Sequence, residues 1–217
     1  MEVNAAEEYV RRLEISVEKT FNFSTHMNLD VLDIEGYSSP YTRFFFNNIC
    51  SYPDIRYLEI GCFQGSTLCS SLSNNPDITA FAIDHFKEYD PERQKKHNFF
   101  SNLEKFDTHK RCKFFESDSF KFNISNIDTK INTYFYDGFH EDWAQRKALS
   151  HYYDVLENIF IYIVDDWNWK HSVQKGTYEG IEACKLKQHY YRELKAKHNC
   201  DTTGWWNGLA LFVLEKT

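Results

Sequence analysis

Residues 56–67, Arg-Tyr-Leu-Glu-Ile-Gly-Cys-Phe-Gln-Gly-Ser-Thr, constrain this chain more than any other stretch. An apolar run of Tyr57, Leu58 and Ile60 carries one acid, Glu59, and breaks at Gly61 and Gly65 before Ser66 and Thr67 open a segment with apolar periodicity. It reads as a strand, a glycine turn and a helix start. Glycines let the backbone approach a ligand closely, and the helix N-terminus behind them offers free N–H groups and the positive end of its dipole. The pattern is Gly-x-x-x-Gly, which matches neither the dinucleotide fingerprint nor the lysine-bearing phosphate loop. Taken alone it fits a tight connection as well as a ligand site, so its meaning depends on the rest of the chain.

That remainder is compatible with one domain plus additions. A chain of 217 residues with 42% hydrophobic and 18% aromatic residues can build a full core, while 8 Gly and 4 Pro leave little room for long linkers. The net charge of −7 provides no electrostatic footprint for a phosphate backbone or an anionic membrane, so bulk nucleic acid and membrane are not expected as partners. Six cysteines include no Cys-x-x-Cys pair, and no apolar run approaches twenty residues. A reducing, cytoplasmic setting is the expectation. Oligomeric state is left open, a homo-oligomer included.

In chain order, residues 5–17 place Ala6, Val10, Leu13 and Val17 on one helical face. Ser39-Pro40 caps a second helix over 41–50, and Pro53 ends it. Residues 1–52 thus read as a helical appendage that packs on a sheet edge or covers a ligand cleft, ahead of a ligand-binding domain over 53–217. A helix over 66–73 stops at Asn74-Asn75-Pro76-Asp77, and a strand over 79–83 closes on Asp84. An acid at that strand end, about twenty residues past a glycine turn, is where doubly wound sheets hold a ribose diol. Asp90-Pro91 reads as the cap of a helix with Phe99, Phe100, Leu103 and Phe106, followed by a strand over 113–116 that ends in Ser117-Asp118. A strand over 131–136 is tipped by Asp137-Gly138-Phe139-His140, and a helix with Ala144, Ala148, Tyr152 and Leu156 on one face follows. A fifth strand over 159–164 ends in Asp165-Asp166-Trp167. One more helix is expected from about 176 to 188, then strands over 190–196 and 209–215 that form a terminal antiparallel pair. Trp205 and Trp206, in the loop between them, read equally as pocket wall and as packing. This alternation calls for an α/β, Rossmann-like, doubly wound sheet of seven strands, mostly parallel, with ligands outside the strands' carboxyl ends.

Leu58-Glu59-Ile60-Gly61-Cys62-Phe63-Gln64-Gly65-Ser66 resembles the first motif of class I S-adenosylmethionine-dependent methyltransferases. Asp137 with Asp165-Asp166 is similar to the acids of the metal-dependent O-methyltransferases, the catechol and macrocin-type sugar enzymes among them. The likeness covers about 55–215 and lies in motifs and element order. It implies that Glu59, Gly61, Phe63, Gly65 and Ser66 line the methionine part of the cofactor. It also implies that Asp84 holds the ribose, that Ser117 or Asp118 approaches the adenine, and that Asp137 stands beside the cofactor. Asp137, Asp165 and Asp166 would hold Mg2+ or another divalent cation. His140 stands where the catechol enzyme has a lysine base, and takes that role by position. The acceptor implied is a small hydroxylated molecule: a sugar or other vicinal diol, or a catechol.

The chemistry is coherent. Three carboxylates around one point repel unless a hard cation joins them. Such a cation lowers a bound hydroxyl's pKa and fixes its direction, and a neutral imidazole can take the proton. Phe139, Trp143, Trp167 and Trp169 are candidates to flank the acceptor by stacking.

Overall fold

The computed structural model describes residues 4–87 and 92–217. Seven strands form one sheet: β1 (Arg56–Ile60), β2 (Thr79–Asp84), β3 (Cys112–Glu116), β4 (Ile131–Tyr136), β5 (Leu156–Val164), β6 (Leu186–Leu194) and β7 (Leu209–Lys216). Their order across the sheet is β3-β2-β1-β4-β5-β7-β6. β1 to β5 run parallel, and β7 pairs antiparallel with both β5 and β6. The order reverses direction between β1 and β4, so the carboxyl ends of those two strands flank the crevice where such sheets bind ligands.

Side-chain alternation assigns the two faces. On β5, Ile161 and Ile163 enter one core with Tyr57, Ala80, Ala82, Phe135, Leu211 and Val213. Phe160, Tyr162 and Val164 enter the other, with Leu58, Phe81, Tyr134, Phe212 and Leu214. A strand buried on both sides is largely apolar, and in β4, Ile-Asn-Thr-Tyr-Phe-Tyr, every residue is buried, Asn132 included because its amide accepts from the Arg56 N–H and donates to Asp54 O. Helices α1 (Ala5–Phe21), α2 (Pro40–Ile49), α3 (Ser66–Leu72) and α4 (Gln94–Phe106) contribute to the first core. α5 (Asp142–Tyr152) and α6 (Lys175–Ala183) cover the second face.

The N-terminal segment packs on a sheet face rather than an edge: α1 meets β5 and β7 as well as α2. Leu13 and Val17 lie fully buried there, and Ser39 caps α2 by accepting from the Thr42 N–H. Among the described residues no helix is long and apolar enough to cross a membrane.

Three expectations shift, and one lies outside the described residues. Leu156 continues the i+4 series of α5 in sequence, but a 3-10 turn over Tyr153–Val155 ends the helix and Leu156 opens β5, paired with Ile131. Gln188 lies in β6, not at the end of α6. The chain turns at Cys184-Lys185, with Lys185 at φ 50°, and the strand therefore starts and stops earlier than 190–196. Trp167 is core: it is 1% exposed, donates from Nε1 to the Tyr191 hydroxyl at 3.0 Å and packs against Tyr178 and Phe212. The Asp90-Pro91 cap is outside the described residues, and α4 opens after Arg93 with no side-chain cap bond.

Candidate active site

At the carboxyl end of the sheet, the turn after β1 is held from both sides. The Gly61 N–H donates to Ile83 O at 3.0 Å, and the Asp137 N–H donates to Ile60 O at 2.9 Å. Gly61 has φ 84°, and a Cβ there would stand 1.9 Å from the Asp137 carbonyl oxygen. Only glycine allows this approach of β4's tip to the turn. Asp84 organises the same loop. Its Oδ2 accepts from the Cys62 and Phe63 N–H groups at 2.7 and 2.9 Å, and its Oδ1 accepts from Phe86 N at 2.7 Å.

These turns frame a cavity of about 600 Å³, a size suited to a nucleoside-bearing small molecule. Gly61, Phe63, Ser66, Asp84, Ser117, Asp137, His140, Asp165 and Asp166 all line it. Three sequence candidates stand behind the lining. Gly65 is the left-handed residue that opens α3, and Asp118 spends Oδ1 on the Phe120 N–H at 2.9 Å. Glu59 is fully buried, its oxygens taken by the Tyr57 hydroxyl at 2.6 Å and the Thr67 hydroxyl at 2.7 Å. Glu59 thus reaches the cavity through Thr67, which does line it.

Burial holds the Glu59 carboxyl up at about 7, against the hydrogen bonds from Tyr57 and Thr67. Below its ordinary value near 4.5 the folded and unfolded chains are both protonated here. Between 4.5 and about 7 only the unfolded chain ionises, so this group removes stability as pH rises through that window. Glu59→Gln should flatten the dependence of Tm on pH between 5 and 8, with the largest gain over the parent above pH 7 by differential scanning calorimetry.

One end of the cavity is acidic. One ligand atom each from Asp137, His140 and Asp166 lies within 4.8 Å of the others. His140 Nε2 is 2.7 Å from Asp166 Oδ2, while the Asn207 side-chain amide donates to Asp166 Oδ1 at 2.6 Å. Asp166 itself sits at φ 55°, a left-handed conformation that Asp tolerates better than most residues. Asp165 lines the cavity without belonging to the converging group. Asp137 and Asp165 are both held well above the usual carboxylate range, first by burial and then by the neighbouring acids.

Aromatic rings close the mouth. Tyr37 stacks on Phe63 with centroids 4.9 Å apart, and its other neighbour is Trp206 at 6.2 Å. The adjacent Ser38 shares a hydrogen bond with Ser66 at 2.9 Å, and the buried Arg43 fastens Ser38 from below at 3.0 Å. The double tryptophan therefore divides its duties: Trp206 lines the cavity and Trp205 packs against Phe21, Tyr41 and Phe45. Phe139 and Trp169 also line the cavity, whereas Trp143 lies outside it against Phe120. Tyr37, Ser38 and Asn207 escaped the sequence reading. Only the Asn-Gly after the tryptophans hinted at the last of these.

No family model matches the sequence, and no curated protein does. Solved structures match it along most or all of its length. The methyltransferase PaMTH1 of Podospora anserina, bound to SAH, aligns with a TM-score of 0.62 over 100% of this chain and 99% of its own, at 14% identity. The class I methyltransferase fold is the one this chain adopts. The O-methyltransferase TomG of Streptomyces achromogenes, involved in tomaymycin synthesis and bound to SAM, aligns at 0.59 over 100% of this chain and 92% of its own, at 15% identity. TrmN of Thermus thermophilus aligns at 0.61 and 10% identity over 88% of this chain, which spans only 52% of that protein.

Proposed function

We propose that this chain is an S-adenosylmethionine-dependent O-methyltransferase, assisted by a divalent cation, that acts on a hydroxyl of a small acceptor. The observation that carries the reading is the placement of two sets of groups in one cavity: the Gly61–Ser66 turn with Asp84, and the converging Asp137, His140 and Asp166. Both sets fit what they would hold. Asp84 keeps acceptor capacity beyond its three backbone N–H partners, since an ionised carboxylate has about four lone-pair sites. Two carboxylates and an imidazole make a donor set for a dication.

S-adenosylmethionine would supply an activated methyl group, and a divalent cation would supply Lewis acidity toward the acceptor's hydroxyl. The chain's own work is positioning, which can provide much of a transfer rate once both partners are held in line. Phe63 and Ser66 stand beside the methionine end of the cavity and Ser117 beside the adenine end. Tyr37, Trp206, Phe139 and Trp169 wall the acceptor side and exclude water. His140, its Nε2 2.7 Å from Asp166 Oδ2, is a candidate to join the cation's donor set or to take the acceptor's proton as general base, the role its position gave it in the sequence. Asp165, which lines the same cavity beside Asp166, is available as a further carboxylate donor to the cation.

The acceptor is expected to be a sugar, another vicinal diol or a catechol, and bulk nucleic acid and membrane are not part of the proposal. The buried thiols Cys50, Cys62 and Cys69 suit a reducing, cytoplasmic setting. The test is calorimetry with S-adenosylhomocysteine, followed by labelled methyl transfer to a panel of diols, catechols and sugars with and without EDTA. Binding with EDTA-sensitive turnover supports the reading. EDTA-insensitive turnover removes the cation, and binding with no turnover across the panel makes the chain a cofactor-binding module.

A further inference from the structure

Arg43, on α2, is the one lysine or arginine that is buried among the described residues, at 5% exposure, and no carboxylate of those residues pairs with it. Glu35, the acid before it in sequence, pairs with Lys95 at 3.3 Å instead. The guanidinium is held by neutral groups. Nε donates to Ser38 Oγ at 3.0 Å, and Nη1 donates to the Val31 and Leu32 carbonyls at 2.9 and 3.0 Å. These bonds fix its direction and leave its charge uncompensated, while Nη2 makes no hydrogen bond to a described residue. A buried ion without a counter-ion is costly, and burial pulls this guanidinium down to about 10, so it is still charged at neutral pH.

The same cluster opens into the cavity. Ser38 Oγ lies 2.9 Å from Ser66 Oγ, and both serines line the cavity. Two hydroxyls carry two hydrogens, and their mutual bond uses one. Ser38 accepts from Arg43, so the second hydrogen is available to a further acceptor. The guanidinium edge borders the same place: a Cβ on Gly36 would stand 2.5 Å from Ser66 Oγ and 3.6 Å from Arg43 Nη2. A hydroxyl donor and a buried cation thus converge where the N-terminal segment crosses the turn after β1.

We propose that Arg43, Ser38 and Ser66 form a carboxylate site that recognises the amino-acid end of the cofactor, so that the N-terminal segment completes the cofactor's seat. The inference rests on the methyltransferase reading and adds to it the group that answers the cofactor's negative charge. Ser66 and Ser38 supply the hydroxyl hydrogen. Arg43 is a positioning residue that fixes Ser38 and provides positive charge where little water screens it. A bound carboxylate gives Arg43 the counter-charge that the chain itself withholds.

The test is calorimetry with two probes, S-adenosylhomocysteine and its decarboxylated analogue, which keeps the adenosine, sulfur and amine. Wild-type protein should bind S-adenosylhomocysteine at least about tenfold more tightly than the analogue. Arg43→Gln should weaken S-adenosylhomocysteine about tenfold and leave the analogue within about twofold, which erases the preference. Ser38→Ala keeps the Arg43 bonds to Val31 and Leu32, and should cut the preference to about threefold or less. Ligand-free melting curves show whether each variant is folded, and Ser38→Ala carries the test if Arg43→Gln is not. Equal wild-type affinities overturn the inference and leave the methyltransferase reading standing. So does a preference that survives in the folded variants, including one in which both ligands weaken alike, since a purely structural role would do that. Wild-type protein that binds neither probe overturns both readings.

Discussion

Asp166→Ala is expected to lower methyl transfer by about 10²–10³-fold, while S-adenosylhomocysteine affinity stays within a few-fold of the parent. The side chain lies at the junction of three contacts: His140 at Oδ2, Asn207 at Oδ1, and the charge it exerts on Asp137 and Asp165. Its removal takes a carboxylate from the converging group and frees the imidazole to turn. Stability moves differently. Alanine at φ 55° costs about 1 kcal/mol in backbone strain, and two hydrogen bonds go with the carboxylate. Against that, the variant relieves repulsion that burial makes strong, since Asp166 is only 5% exposed. The two effects are similar in size, so the cation-free variant should melt within a few degrees of the parent. Kinetics with a responsive acceptor, calorimetry with S-adenosylhomocysteine and a melting curve check the three parts. Near-normal turnover would leave the acids without a catalytic role and favour a cation-free mechanism.

Much of this arrangement was legible in the sequence because parallel strands announce themselves. β2, β4 and β5 are largely apolar runs that end on or just before an acid, β1 is one that ends at a glycine turn, and the pattern of strand and helix between them admits few topologies. Positions at strand tips could be read because a sheet's carboxyl edge is a property of the fold, not of any one contact. What escaped depends on tertiary approach. Ser38 meets Ser66 across 28 residues and Asn207 meets Asp166 across 41, and no local periodicity encodes either pairing. Glu59 shows the opposite error. An acid in the glycine motif reads as a cavity residue, yet β1 is central and its side chain enters the core, where Tyr57 and Thr67 satisfy it. The limits of β5 and β6 slipped for a third reason. Leu156 fits a helical face as well as a strand, and the turn at Lys185 carries no Gly or Pro to mark it.

Gly61→Ala should be the most damaging of the glycine-to-alanine changes, since no other added Cβ would meet a backbone atom so closely. The new Cβ would stand 1.9 Å from the Asp137 carbonyl oxygen and 2.7 Å from its carbon, and both are backbone atoms. They cannot swing away, because the Asp137 N–H is bonded to Ile60 O at 2.9 Å and the Asp165 N–H to Tyr136 O at 3.2 Å. Relief requires opening the seam between β1 and β4 by more than an ångström, at the strand ends that frame the cavity. The φ of 84° adds about 1–2 kcal/mol for any L side chain. Together these amount to about 3–5 kcal/mol, in the range reserved for severe core damage, and to a fall in Tm of about 10 °C. Gly65→Ala is the control. It has the same φ of 84°, but its Cβ would first meet the Phe99 side chain at 3.2 Å, which can yield. That variant should lose only the conformational part, about 1–2 kcal/mol. The two mutants therefore separate strain in the turn from the approach of β4. Equal melting temperatures would mean that the Asp137 carbonyl does not press on the glycine. A Gly61→Ala protein that melts far lower and no longer binds S-adenosylhomocysteine would show that one close backbone approach holds the cofactor turn and the acid-bearing strand in register.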